Sequence, residues 1–395
     1  MKQKAYKVRI YPNKAQEQLL NQTFGCARFV WNKRVESFNN YDKENPVKDK
    51  TVKELKVEYP FLADVPYNAL EQKLMDWNQT VKQFFNKKRK VKLGRPSFKK
   101  KGYKDSFRLS YNGFSIKNNK FRLIKIGLIK TKGYDLSTIP NLETCKQVTI
   151  SKTSSGKYFM SILIAQEIKP KPSTGKVVGI DLGITDLLTL SSGIKVGNPK
   201  WFRESQAELA KAQRHLSRKT KGSNRYHKQR LKVAKIHEKT TNQRKWFYHN
   251  LTTWLVSEYD IICLEDLNVS GMSKNKRLSK SIHDAAWSTF ISQLAYKCEW
   301  YGKELKQVDR FFPSSQICSS CGHKDGKKTL DVREWTCSEC GTKHDRDLNA
   351  SINILKECLN LTSEEYSDYS RGDSINPLED GCLHPRVVES VKRLF

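Results

Sequence analysis

Two sets of residues in this chain have the types and spacing for chemistry. The first is Cys318-x2-Cys321-x15-Cys337-x2-Cys340. Each CxxC turns two sulfurs toward one point, and two such turns complete a tetrahedron of thiolates, the closed geometry of structural zinc. Gly322 and Gly341 follow the second cysteine of each turn, where the backbone needs freedom in φ. Disulfides are the alternative. Four sulfurs fill the coordination shell, so zinc catalysis is not expected, and neither His323 nor His344 is needed as a ligand. The second set is a trio of acids. Asp181 ends the apolar run VVGID, Glu265 ends IICLE, and Asp347 opens the last helical stretch in HDRDLN. A single acid at a strand end is ordinary, and Asp345 or Asp347 could be a helix N-cap. Three acids on one rim repel one another unless cations intervene. Hard divalent cations such as Mg²⁺ take carboxylate, water and phosphate oxygens, and a pair of them can serve phosphodiester hydrolysis. Asp186 and Asp266 read as structural or supporting acids, and Asp345 competes with Asp347 for the third place.

The elements that must carry these residues can be read from periodicity. Residues 4–10 alternate as a strand. Pro12 and Asn13 open a helix, and a second helical stretch covers about 67–86. From about 105 to 168, alternating apolar and polar residues between Asn-, Gly- and Ser-rich turns predict hairpins. The run KPKPSTG at 169–175 marks a boundary. Beyond it, VVGID and DLLTL predict a strand pair, and 201–258 a long basic helical stretch broken near KGSNR. A buried strand then ends at Glu265. A loop, GMSKNKRLSKS, leads to a helix at about 284–300, a strand ELKQVDR, the cysteine set and a closing helix LNASINILKECL. Strand ends in such an α/β sheet share one rim, where ligands bind. Residues 357–381 carry seven acids and one Arg without apolar periodicity, so 357–395 is expected to be a disordered tail.

The chain has 395 residues, with 73 Lys+Arg against 41 Asp+Glu and a formal net charge of +32, which favours a polyanionic partner, nucleic acid first. No apolar run is long enough to span a membrane, and the N-terminus lacks the apolar block of a secretory signal, so a cytoplasmic protein is expected. Residues 81–104 hold eleven Lys/Arg and no acid, with Phe84, Phe85, Phe98 and Tyr103 interleaved. This reads as a phosphate-contacting segment rather than only a solvated face. Its candidate contacts are Lys87, Lys88, Arg89, Lys90, Arg95, Lys99, Lys100 and Lys101. Asn68, Gln72 and Gln79 on the preceding helical stretch join them as nucleic-acid-binding candidates.

GIDLGITDLLTLSSG, IICLEDLNVSGM, CSSCG…CSEC and HDRDLNAS, in that order, resemble the TnpB nucleases of insertion sequences. The similarity extends to YKVRIYPNKAQEQLLNQTFGCARFVWN and GRPSFKKKGYKDSFR, and reaches about residue 355. The resemblance implies an α/β multidomain protein. An RNase H-like RuvC nuclease would occupy 173–316 and 343–356, with a zinc-ribbon insert at 317–342. A β-barrel wedge domain would cover 1–10 and 104–172, and a helical recognition lobe 11–103. It further implies an RNA-guided DNA endonuclease encoded by a transposon. Such a protein binds an omega RNA as guide, recognises a short flanking motif and cuts both strands of target DNA at one site. Asp181, Glu265 and Asp347 would bind two Mg²⁺ ions, the family pattern favouring Asp347 over Asp345. One structural Zn²⁺ would sit on the four cysteines, and GMSKNKRLSKSIHDAA would be a lid. Three other readings stay open: a small type V CRISPR effector, a DNA-binding repressor with a dead nuclease, and a transposase proper. The intact acids argue against the repressor.

Overall fold

The structure is a computed structural model that describes residues 1–41, 50–89, 93–276, 278–329 and 331–360. The chain forms two compact units. One comprises Met1–Glu167 with Lys219–Lys235, and the other Ile168–Arg218 with the chain from Ile236.

In the first unit, strand β1 (Lys2–Ile10) turns alternate residues inward, with Val8 and Ile10 fully buried. Asn13 then opens helix α1 (Lys14–Asn39) with a reciprocal cap: its side chain accepts from Gln16 N, and the Gln16 side chain accepts from Asn13 N. Helix α2 (Val52–Glu58) carries the same device at Thr51 and Glu54. It escaped the sequence reading because seven residues are too few to show a helical period. Helix α3 (Tyr67–Phe84) starts after Pro66. Six strands follow: β2 (Ser106–Ser110), β3 (Phe114–Lys117), β4 (Lys120–Leu123), β5 (Gly127–Ile129), β6 (Gln147–Lys152) and β7 (Tyr158–Gln166). They make an antiparallel sheet β1-β7-β6-β2 and a second sheet β3-β4-β5. Tyr11 N donates to Lys130 O, tying one to the other. Val8, Phe107, Ile150 and Met160 share one core with Phe121 and Leu123, and Leu20 and Phe24 of α1 close it. The expected barrel is therefore two sheets over a common core. Among the described residues their ladders do not close into a ring.

The second unit is built on strands β8 (Val177–Asp181), β9 (Asp186–Leu190) and β10 (Lys195–Gly197). Helices α4 (Trp201–Ser217) and α5 (Asn224–Glu258) follow, α5 belonging to this unit from Ile236 on, then strand β11 (Ile261–Glu265). The expected loop after Glu265 instead holds helices α6 (Val269–Met272) and α7 (Ser279–Ala285). Helix α8 (Trp287–Tyr301) begins three residues later than expected because Ala286 adopts a left-handed conformation, φ +47°, that divides it from α7. Strand β12 (Glu304–Val308), the hairpin β13 (Glu334–Thr336) and β14 (Lys343–Asp345), and helix α9 (Arg346–Leu359) complete the unit. Helix α9 runs into the expected tail as far as Leu359; the rest of that tail, 361–395, lies outside the described residues.

The sheet order is β10-β9-β8-β11-β12. The first three strands meander antiparallel, and β11 and β12 add parallel on the other edge of β8. This is the strand arrangement of an RNase H-like fold. Helix α9 lies directly on β8. A Cβ at Gly179 would meet Ser351 O at 2.1 Å and Leu355 Cβ at 2.8 Å, so only glycine permits this approach. Because a Cβ here would meet backbone, Gly179→Ala is expected to cost about 1–3 kcal/mol, seen as a lower Tm in circular dichroism.

Candidate active site and metal centre

The three acids converge at one end of the second unit's sheet. Ile180 and Leu264 are partners in the parallel β8–β11 ladder, so Asp181 and Glu265, one residue further, end adjacent strands side by side. Parallel neighbours lie about 4.8 Å apart. Asp347 joins them from the first turn of α9, one helical turn before the Ser351 that touches Gly179. Part of Asp181 stays accessible, yet its carboxyl group is enclosed and is pushed up to about 8. Burial is the largest cause, followed by the charges of Glu265 and Asp347; Arg346 opposes them. Burial also raises Glu265, against a hydrogen bond donated by Ser314 Oγ. The donor set is all hard oxygen and mutually repulsive, the character expected of a divalent-cation site.

Asp345 is committed elsewhere. It caps α9 by accepting from Leu348 N at 2.9 Å and pairs with Lys195 at 2.7 Å, and these contacts hold it below its usual range. Asp266 pairs with Arg310 Nη2 at 2.5 Å. Asp186 begins β9 beside the site. Arg333, which the sequence reading passed over, reaches Asp347 Oδ2 and Thr185 Oγ1, each at 3.4 Å.

The four cysteine sulfurs all lie within 4.8 Å of one another. Cys318–Cys340 and Cys321–Cys337 are each 3.7 Å apart. A disulfide needs about 2.05 Å, whereas Zn–S bonds of about 2.3 Å in a tetrahedron put sulfurs about 3.8 Å apart. The two turns are copies of each other. Gly322 N donates to Cys318 O and Gly341 N to Cys337 O, with φ of +76° and +71° at the glycines. His344 had been set aside, and it is not among the four clustered ligands. Its Nε2 nevertheless lies 3.0 Å from Cys318 Sγ, and its ring packs on Trp335, its hairpin partner. A histidine there supports a thiolate by hydrogen bonding.

Helix α9 joins the two centres. Its buried residues Asn349, Asn353 and Lys356 hold the chain that enters the first cysteine turn. Asn349 Nδ2 donates to Ile317 O and its Oδ1 accepts from Ser319 N. Asn353 Nδ2 donates to Ser314 O and Ile317 O, and Lys356 donates to Ser319 O. The same segment carries the Ser314 that holds Glu265.

Sequence comparison agrees with this architecture. Residues 160–276 match a family model described as a probable transposase, 287–354 one described as a Cas12f1-like TNB domain, and 1–44 a helix-turn-helix domain. A putative RNA-guided DNA endonuclease of Streptomyces pristinaespiralis is 40% identical over 402 residues, covering 99% of this chain and 96% of that protein. The putative RNA-guided DNA endonuclease InsQ of Escherichia coli is 32% identical, covering 89% and 91%. The chain belongs to the TnpB family. The fold is also that of a Cas12f1 effector solved with single-guide RNA and target DNA: TM-score 0.54, 13% identity, 90% of this chain and 98% of that one. In this TnpB-family chain, the described part of the region matched as helix-turn-helix is one strand and one 26-residue helix.

The candidate nucleic-acid residues divide. Lys87, Lys88, Arg89, Lys100, Lys101 and Gln79 are exposed, and Lys90 lies outside the described residues. Arg95 stacks on Phe38, and the Lys99 ammonium sits 3.6 Å from the Trp31 ring centroid. Trp31 Nε1 donates to Ser97 O, and Asn32 pairs with both backbone groups of Lys99, so this segment is strapped to α1. Two expectations need correction. Asn68 is spent on Ser110, through both its backbone N and its hydroxyl, and fixes the end of β2. Gln72 is buried and donates to Met75 Sδ. Both fall on the inner face of α3, which the helical period alone did not assign.

In the metal-free fold Asp181 stays protonated up to about pH 8, while in the unfolded chain it ionises near 3.8. The folded state then holds the extra proton, so its stability falls as pH rises through that window. Asp181→Asn removes this share of the dependence and leaves that of Glu265. In EDTA it is expected to melt above the wild type at pH 7–8, with the difference vanishing below about pH 4, as thermal scans across pH would read.

Proposed function

We propose that this chain is an RNA-guided DNA endonuclease, carried by a transposon, that binds an omega-type guide RNA and hydrolyses both strands of DNA beside a short flanking motif in the prokaryotic cytoplasm. The observation that carries the reading is the convergence of Asp181, Glu265 and Asp347 on one rim of an RNase H-like sheet. Full-length relatives named as putative RNA-guided DNA endonucleases support it.

These three carboxylates would hold two Mg²⁺ ions, which supply activation of a water and stabilisation of the leaving oxygen when bound. The chain's own residues do the rest. Ser314 fixes the orientation of Glu265, and the pairing of Asp345 with Lys195 leaves Asp347 as the acid that α9 brings to the strand ends. Arg333, on the outer side of Asp347, is placed to meet a phosphate once that carboxylate is engaged. Cys318, Cys321, Cys337 and Cys340 would bind one structural Zn²⁺, with no free position for chemistry. The net charge of +32 suits a long polyanion, read by base pairing with the guide rather than by side chains. In the nuclease unit, α6 and α7 would act as the lid. In the other unit, Lys87, Lys88, Arg89, Lys100 and Lys101 remain the proposed phosphate contacts and Gln79 the remaining candidate for reading bases.

Protein purified after co-expression with its native locus is expected to carry one discrete RNA ending in transposon-flanking sequence. With that RNA it should cut a matching duplex in Mg²⁺. Asp181→Ala, Glu265→Ala and Asp347→Ala should retain the RNA and lose cleavage. RNA carrying CRISPR repeats would point to an effector instead, and absence of any enriched RNA would sink guidance. Elemental analysis is expected to give one zinc per chain, and Cys337→Ser should abolish both the zinc and a well-defined melting transition.

A further inference from the structure

Phe311 lies three residues before Ser314, which serves Glu265, and the nuclease reading gives it no task. It is 86% exposed. Among the described residues no ring or cation is recorded against it. A single exposed ring is ordinary in itself; what distinguishes this one is the turn that carries it.

The turn that presents it is closed around Glu265. It leaves β12 at Val308, the ladder partner of Glu265, and returns at Ser314, whose hydroxyl donates to the Glu265 carboxylate. Between these ends the turn is fixed. Asp309 accepts from Phe311 N through its carboxylate at 2.8 Å and from Phe312 N through its carbonyl at 3.1 Å. Arg310 is clamped to Asp266 by both Nη2 and Nε. Phe312 packs inward against the cluster of Val308 and Ile354. One aromatic therefore packs inward and anchors the turn, while its neighbour is exposed within a turn whose two ends are both tied to Glu265.

We propose that Phe311 is a stacking platform for a nucleobase of the DNA strand that enters the carboxylate site. The inference rests on the nuclease reading above. A strand whose phosphodiester reaches Asp181 and Glu265 brings its flanking bases to the rim that this turn forms. An aromatic face suits any base, because every base offers a π surface, so the platform would position the strand without choosing its sequence. A rigid turn costs little ordering on binding, and the shared anchor at Glu265 fixes the ring relative to the acids. Phe311 is thus a positioning residue for the scissile bond.

The test uses the protein with its co-purified RNA. A matched set of target duplexes carries a single abasic site walked along each strand through the cleavage region. Wild type is expected to lose about 5- to 150-fold in cleavage rate at one position, the range of a single base–aromatic stack. Phe311→Ala should lose a similar factor on intact DNA and nothing further from that abasic site, while Phe311→Trp restores the wild-type rate. Because the ring is exposed, the Tm of Phe311→Ala should be unchanged. Wild-type cleavage by Phe311→Ala, or losses that multiply when variant and abasic site are combined, would overturn the platform while leaving the nuclease reading intact. Failure of the wild type to cut any intact duplex, as Asp181→Ala fails, would overturn the nuclease reading and the platform with it.

Discussion

The acid-bearing end of the second unit depends on one close approach, that of α9 to β8 at Gly179. The helix backbone comes within reach of where a Cβ would stand. This closeness brings Asp347, four residues before Ser351, to the acid that ends the same strand two residues after Gly179. A side chain there would push the helix off the strand and move its carboxylate away from Asp181 and Glu265. The resulting acid cluster is costly in itself. Asp181 is held protonated by burial and by its two neighbours, with Arg346 the main charge opposing them. Packing on one side of the strand therefore maintains an electrostatic strain at its end, and cations are the natural relief for that strain.

The same helix also binds the cysteine centre, through a face that a core helix would normally make apolar. Asn349, Asn353 and Lys356 recur at i, i+4 and i+7, and all three are buried. Their partners are backbone carbonyls and an amide of residues 314–319, groups that would otherwise be orphaned where the chain leaves the sheet. That segment begins at the Ser314 bound to Glu265 and includes Cys318, the first of the four cysteines. Order in the cysteine turns is thus transmitted over a few residues to two of the three acids. The spacing Cys340 to Asp347 is short because the insert must return the chain to the first turn of α9.

Much of this was legible in the sequence because each signal was local. The cysteine spacing, the glycines after each turn, the acids ending apolar runs and the Asn13 cap all lie within a few residues of the feature they report. What was missed depended on distance or on a short element. The α2 helix is too short to show a period. Which face of α3 is inward depends on Ser110, some forty residues on, so Asn68 and Gln72 read as free when they are not. Arg333 and Ser314 gain their meaning only when the hairpin and the turn fold back on the acids. The alternation of Lys343, His344 and Asp345 along β14 could have signalled that His344 faces inward opposite Trp335, but only once the hairpin register was known.

Placing sulfur and carboxylate donors within ten residues of each other carries a hazard, since zinc binds carboxylates and histidine as well as thiolates. The fold limits the exchange by geometry and charge. Asp345, two residues before Asp347, is withdrawn by its cap and by Lys195. His344 is packed on Trp335 with one nitrogen turned to Cys318 rather than to the acids. The sulfurs already lie at the spacing of a closed tetrahedron, so a soft metal gains four ligands there with little rearrangement. The acids offer only hard oxygens under mutual repulsion, a poor match for a thiolate-seeking ion and a good one for a cation that keeps its waters. The stretch CSECGTKHDRDLN thus keeps two donor sets of different character apart, because His344 and Asp345, the residues between them that could have bridged them, are each tied to a partner of their own.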